Sequence, residues 1–166
     1  MKRVLTIAAV LTAALALQAC NQGPDPAKVQ ADVAKAQADG QKKIADAQAD
    51  LDKTIAKNNK NMAETQADAQ KDANKADATP ADQNKAAADA SQDMAKQRAD
   101  GAKEIADAQY NVDKAKASAA YDVAVAQCEG QTGDANKQCK DKAKSTYDAS
   151  VTAADNKRNA AKQQNG

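Results

Sequence analysis

The chain has no histidine, tryptophan or phenylalanine and only three tyrosines in 166 residues. Without histidine there is no imidazole to act as a base near neutral pH or to bind a metal. Serine occurs only at Ser91, Ser118, Ser145 and Ser150, so a Ser–His nucleophile is excluded. Gly130 and Gly133 lack the Lys-Ser/Thr of a phosphate-binding loop. Bulky apolar residues are also thin. Beyond residue 20 they are Val29, Val33, Ile44, Leu51, Ile55, Met62, Met94, Ile105, Val112, Val123, Val125 and Val151. Folding stability follows the apolar area withdrawn from water, and so few groups cannot enclose a pocketed globule. These absences point away from an enzyme, a cofactor and a metal site. Met62 and Met94 read as helix packing rather than thioether ligands, and Tyr110, Tyr121 and Tyr147 as packing residues.

What is present is alanine, 44 residues of it, set among interspersed charges with a net charge of +1. Nucleic-acid binding calls for a basic face, which this balance does not provide. Alanine, lysine and glutamine have high helix propensity.

The first residues differ from the rest. Met1-Lys2-Arg3 is basic, Val4 to Leu17 is apolar apart from Thr6 and Thr12, and Leu17-Gln18-Ala19-Cys20 closes the run. A basic start, a short apolar middle and a small residue before a cut form an export signal over 1–19. The run is too short to span a bilayer, which takes ~20 apolar residues. Leu17-Gln18-Ala19-Cys20 resembles the lipobox of bacterial lipoproteins, although Gln18 departs from the small or β-branched residue usual there. The resemblance implies a lipid on Cys20 and a membrane tether, and Asn21 looks like outer-membrane sorting. Two or more acyl chains anchor stably where one does not. Residues 20–25 read as a linker.

Setting Cys20 aside leaves Cys128 and Cys139. An oxidising periplasm makes a disulfide the expectation, and the spacing does not match the Cys-x-x-Cys of thiol oxidoreductases. Two thiols without histidine make a poor zinc site.

Asp25-Pro26 and Thr79-Pro80 each combine a capping side chain with proline at the first helical position. Apolar positions then recur in steps of four, three and four. Val29, Gly40, Leu51 and Met62 are eleven apart, as are Val33, Ile44 and Ile55. Eleven residues in three turns implies a nearly straight helix pair. The reading is all-α: long antiparallel, coiled-coil-like hairpins filling 26–166, with helices over about 26–78, 80–128 and 134–162 and fraying over 163–166. The packing stripes are Val29, Val33, Ile44, Leu51, Ile55, Met62, Met94, Ile105, Val112 and Val123. Glu129 to Asp134, with two glycines, is the second turn.

Residues 33–53 and 94–114 match at thirteen of twenty-one positions without a gap. Gly40 and Gly101 fall together, each four residues before an isoleucine. Glycine inside a helix costs ~1 kcal/mol relative to alanine, and two readings stand side by side: an accident of duplication, or close helix approach at both sites. Folding about Thr79-Pro80 sets residue i near 159 − i, with Met62 near Met94. Folding about the second turn sets Tyr121 opposite Tyr147 and Cys128 beside Cys139.

The Ala/Lys/Asp/Gln helices look like the long middle domain of the TolA envelope protein and like murein lipoproteins. Murein lipoproteins end in a lysine joined to peptidoglycan, whereas this chain ends Gln163-Gln164-Asn165-Gly166, so covalent attachment is not implied and non-covalent contact with peptidoglycan is the form considered. The expected function is a lipid-anchored structural or interaction protein of the cell envelope, its stripes pairing with themselves or with another envelope helix. The alternative is a stress-protection protein, because eleven-residue repeats also resemble late-embryogenesis-abundant proteins.

Overall fold

The computed structural model describes residues 23–75 and 79–164. The leader 1–19, the candidate lipid site Cys20 and the first part of the linker lie outside the described residues. Three helices make up the rest: α1 (Pro26–Ala73), α2 (Pro80–Cys128) and α3 (Gly133–Gln164). No strand occurs among the described residues, and the fold is all-α as expected. At 1.5 Å per residue the helices are ~72, ~74 and ~48 Å long.

The helix ends follow from local chemistry. Asp25 accepts the Ala27 N–H at 2.9 Å, with Pro26 next in line. Thr79 and Asp82 form a reciprocal capping box. The Asp82 N–H donates to Thr79 Oγ1 at 3.3 Å, and the Thr79 N–H donates to the Asp82 carboxylate at 3.1 Å. The Thr79 hydroxyl also donates to that carboxylate, and together these bonds hold Asp82 below its ordinary pKa. At the second turn, Gly133 adopts φ +58° with no neighbour that an added Cβ would touch. Its role there is backbone freedom, since L-residues with a side chain avoid that region.

Two boundaries differ from the sequence expectation. α1 stops at Ala73 rather than 78, its last turn closed by the Asn74 N–H on the Gln70 carbonyl. Asp72 and Asn74 offer the backbone alternatives to helix, and Pro80 keeps Thr79 extended as the cap of the next helix. Residues 76–78 lie outside the described residues. α3 continues to Gln164 rather than fraying from 163; Asn165 and Gly166 are outside the described residues.

α2 packs against both other helices, while α1 and α3 do not pack on each other. The chain is therefore a layer of three rods with α2 in the middle. Gly40 faces Ala119, Asn58 bonds to Gly101, and Gly130 meets Val29. Each of these pairs sums to 159, the antiparallel register expected for the first hairpin. The start of α1 thus lies beside the α2–α3 turn, and the α1–α2 turn lies at the far end. α3 reaches only partway along α2, its last lysine, Lys162, meeting Asp107 at 2.7 Å. Beyond that point two helices continue alone.

Candidate functional site

The features that organise this molecule are its two helix seams. In α1 the residues withdrawn from solvent run from Val29 to Ala73, mainly in steps of four, three and four, with Thr54 beside Ile55 and Asn61 beside Met62. Of the expected stripe, Leu51 and Val112 are buried, at 5% and 0% exposure. Val29, Val33, Ile44, Ile55, Met62, Met94, Ile105 and Val123 are half-buried along the seams. The buried interior is otherwise mostly small: Ala106, Ala117, Ala119, Ala126, Ala143 and Ala154. Sequence reasoning passed over these alanines, although a signal existed. Ala106, Ala117 and Cys128 keep the eleven-residue step, as do Ala143 and Ala154.

Both repeat glycines are sites of close approach. A Cβ on Gly40 would stand 2.6 Å from Ala119 Cβ and 3.2 Å from Ala119 Cα. A Cβ on Gly101 would stand 3.1 Å from Asn58 Cγ. Asn58 uses that space to donate its side-chain amide to the Gly101 carbonyl at 3.1 Å. The two sites are images of each other. Moving 61 residues along the chain takes Gly40 to Gly101 and, five residues past the matched repeat, Asn58 to Ala119, so each glycine meets the positional equivalent of the other's partner. The first hairpin thus has an internal two-fold relation between its helices.

Polar groups across this seam set register more than they add stability. Lys43 meets Asp122 at 2.9 Å, and that bond raises the lysine's pKa. Lys57 faces Glu104 at 3.4 Å. Both pairs are largely solvated, where ion pairs contribute little. The register sets Met62 opposite Gln97 and Met94 opposite Thr65, so the two methionines are staggered rather than directly opposed. Between them, Gln97 donates to Thr65 Oγ1 at 2.6 Å. Nearer the tip the seam holds only alanines, and a groove of about 770 Å³ opens between the helices, lined by Asp68, Asp72, Asp89 and Asp93 with Ala69 and Ala86.

The second seam is held differently. Cys128 and Cys139 are joined by a disulfide, with Cα atoms 5.6 Å apart. Asn136 donates to the carbonyls of Cys128 at 2.6 Å and Gln131 at 3.2 Å, and the Cys128 carbonyl also accepts the Gln131 N–H at 2.9 Å, so the turn is tied to the start of α3. Tyr121 and Tyr147 pack with ring centroids 5.4 Å apart. Arg158 lies 4.5 Å over the Tyr110 ring, an attraction of cation for π-face, and is also paired with Asp155. Lys157 reaches Asp113 at 3.7 Å. The tyrosines were read as packing residues, and all three take part in ring contacts between α2 and α3. Asn58, Asn136 and Arg158 were not singled out beforehand, because a polar residue in a polar repeat carries no periodic signal.

Chemically the arrangement presents helix faces. Among the described residues no group of three or more His, Cys, Asp or Glu side chains could hold a metal ion. No described helix is long and apolar enough to cross a membrane. No protein family, characterised protein or solved structure matches this chain.

Proposed function

We propose that the chain is a lipid-anchored spacer or scaffold of the bacterial cell envelope, tethered through Cys20 and facing the periplasm, most simply from the outer membrane. The observation that carries this reading is polarity of the rod. The start of α1, six residues after Cys20, lies at the same end as the stapled α2–α3 turn, and the first-hairpin tip stands ~70 Å away. A lipid at Cys20 places the cross-linked end at the membrane and projects a two-helix tip into the space beyond. Helix faces along that tip are the surfaces offered to partners, an envelope helix or peptidoglycan held non-covalently.

The test is metabolic labelling with palmitate, followed by fractionation. Label should enter the chain and be lost in Cys20→Ser, which should also leave the membrane fraction. An unlabelled chain, or a Cys20→Ser variant that stays in the membrane, defeats the reading.

A further inference from the structure

The two-fold relation within the first hairpin has a consequence for association. If α2 is a shifted copy of α1 that packs against it, then α1 should also pack against a reversed α1. In the hairpin, positions summing to 159 oppose one another; replacing an α2 residue by its equivalent 61 earlier gives positions summing to 98. Twelve of the fourteen inward positions of α1 between Val29 and Ala69 map onto one another under that operation, while Ile55 and Asn61 fall opposite the exposed Lys43 and Gln37. The pairs it creates match large with small, as close helix packing requires: Met62 with Ala36, Ile44 with Thr54, Leu51 with Ala47. Gly40 falls opposite Asn58, recreating twice the contact in which Asn58 bonds to the Gly101 carbonyl. The same holds on α2 for positions summing to 220, where Gly101 falls opposite Ala119 and repeats the Gly40–Ala119 approach.

We propose that a second copy of this chain is a partner, paired antiparallel through α1 against α1 about a two-fold axis at residue 49, in place of the intramolecular α1–α2 contact. A symmetric, self-complementary patch is what a two-fold dimer needs. The exchange preserves the glycine approaches and the apolar seam but replaces its two exposed ion pairs, setting Lys57 near Lys43 in place of Glu104 and Lys43 near Asn61 in place of Asp122. The proposal goes beyond the spacer reading and does not depend on the lipid. Confinement to a membrane would raise the local concentration that favours the exchange.

The test uses the full chain with Ala36→Cys and Met62→Cys together, treated with a short bis-maleimide over a range of protein concentrations. Within one chain these positions are ~39 Å apart on the same helix and cannot be bridged. In the proposed dimer they face each other twice. The expected result is a covalent dimer that increases with concentration and exceeds by several-fold that seen with either single substitution. A second pair, Ile44→Cys with Thr54→Cys, gives an independent reading should the first lose helicity by circular dichroism. Dimer yields no higher than the single variants in both pairs overturn the proposal. So does cross-linking between copies confined to Ala36→Cys with Val123→Cys, which reports exchange in the hairpin's own register.

Discussion

Replacing Gly40 by alanine sets two effects against each other. Helix propensity favours the change by ~1 kcal/mol. Packing opposes it, because the new methyl would sit 2.6 Å from Ala119 Cβ and 3.2 Å from its Cα. Carbon atoms pack best near 3.5–4.0 Å, so the helices must part by close to ~1 Å around this point. Part of the obstacle is backbone and cannot rotate away. Overpacking of this kind costs ~1–3 kcal/mol, and the net expectation is a loss of up to ~2 kcal/mol. Gly101→Ala should behave differently, since its new methyl meets the flexible Asn58 side chain at 3.1–3.2 Å, and the propensity gain can offset the disturbed Asn58 bond. Urea unfolding followed by circular dichroism at 222 nm should rank Gly40→Ala below wild type and Gly101→Ala near or above it. The double variant Gly40→Ala/Ala119→Gly should recover part of the packing loss, less the propensity cost of the new glycine, giving a positive coupling in a mutant cycle. A Gly40→Ala protein more stable than wild type, with no coupling to position 119, would mean that the helices do not approach there, and the register argument would fail.

Removing the disulfide with Cys128→Ser/Cys139→Ser should cost roughly 3 kcal/mol by loop-closure entropy, with the loss of hydrogen-exchange protection concentrated in α3 and the second half of α2. Val112→Ala, at the fully buried position of the first seam, should cost about 2 kcal/mol in the same unfolding assay, while Val29→Ala should cost less. The Asp82 carboxyl is held below its ordinary pKa by Thr79, so its contribution is complete above the usual carboxylate range and is lost as pH falls through the depressed value; amide exchange at the first turn of α2 should speed up in acid, and Asp82→Asn should remove that dependence. Circular dichroism in plain buffer should show a strongly helical chain with a cooperative melt, whereas a chain that is mostly coil and gains helix only on drying would support the stress-protection alternative.

Much of the architecture was legible because the chain repeats its instructions. The step of eleven from Val29 through Leu51 located the inward face of α1, and the two cap-plus-proline signals located two helix starts. Thr79-Pro80 also set the hairpin register, which Gly40–Ala119 and Asn58–Gly101 bear out. The end of α1 was harder to place, since Ala, Lys and Asp continue to residue 78 with no change of composition. The local signal for its end is the competition for the backbone from Asp72 and Asn74. The buried interior was hidden for a related reason. Alanine occurs on every face, so Ala106 and Ala117 differ from exposed alanines only by their spacing. The meaning of Gly40 and Gly101 needed three dimensions, because duplication and close packing write the same residue at the same place. The Arg158–Tyr110 contact had no local trace either, as its partners are 48 residues apart on different helices.

Small-angle X-ray scattering, extrapolated to low concentration on the chain from residue 20 onward, tests the central claim that this molecule is a rod and not a globule. A rod ~75 Å long has a radius of gyration of ~22 Å, while a compact domain of about 140 residues has ~14 Å and an unfolded one ~39 Å. The account predicts a value of ~22–24 Å and a longest dimension near ~80 Å; a value close to either of the other two would contradict it.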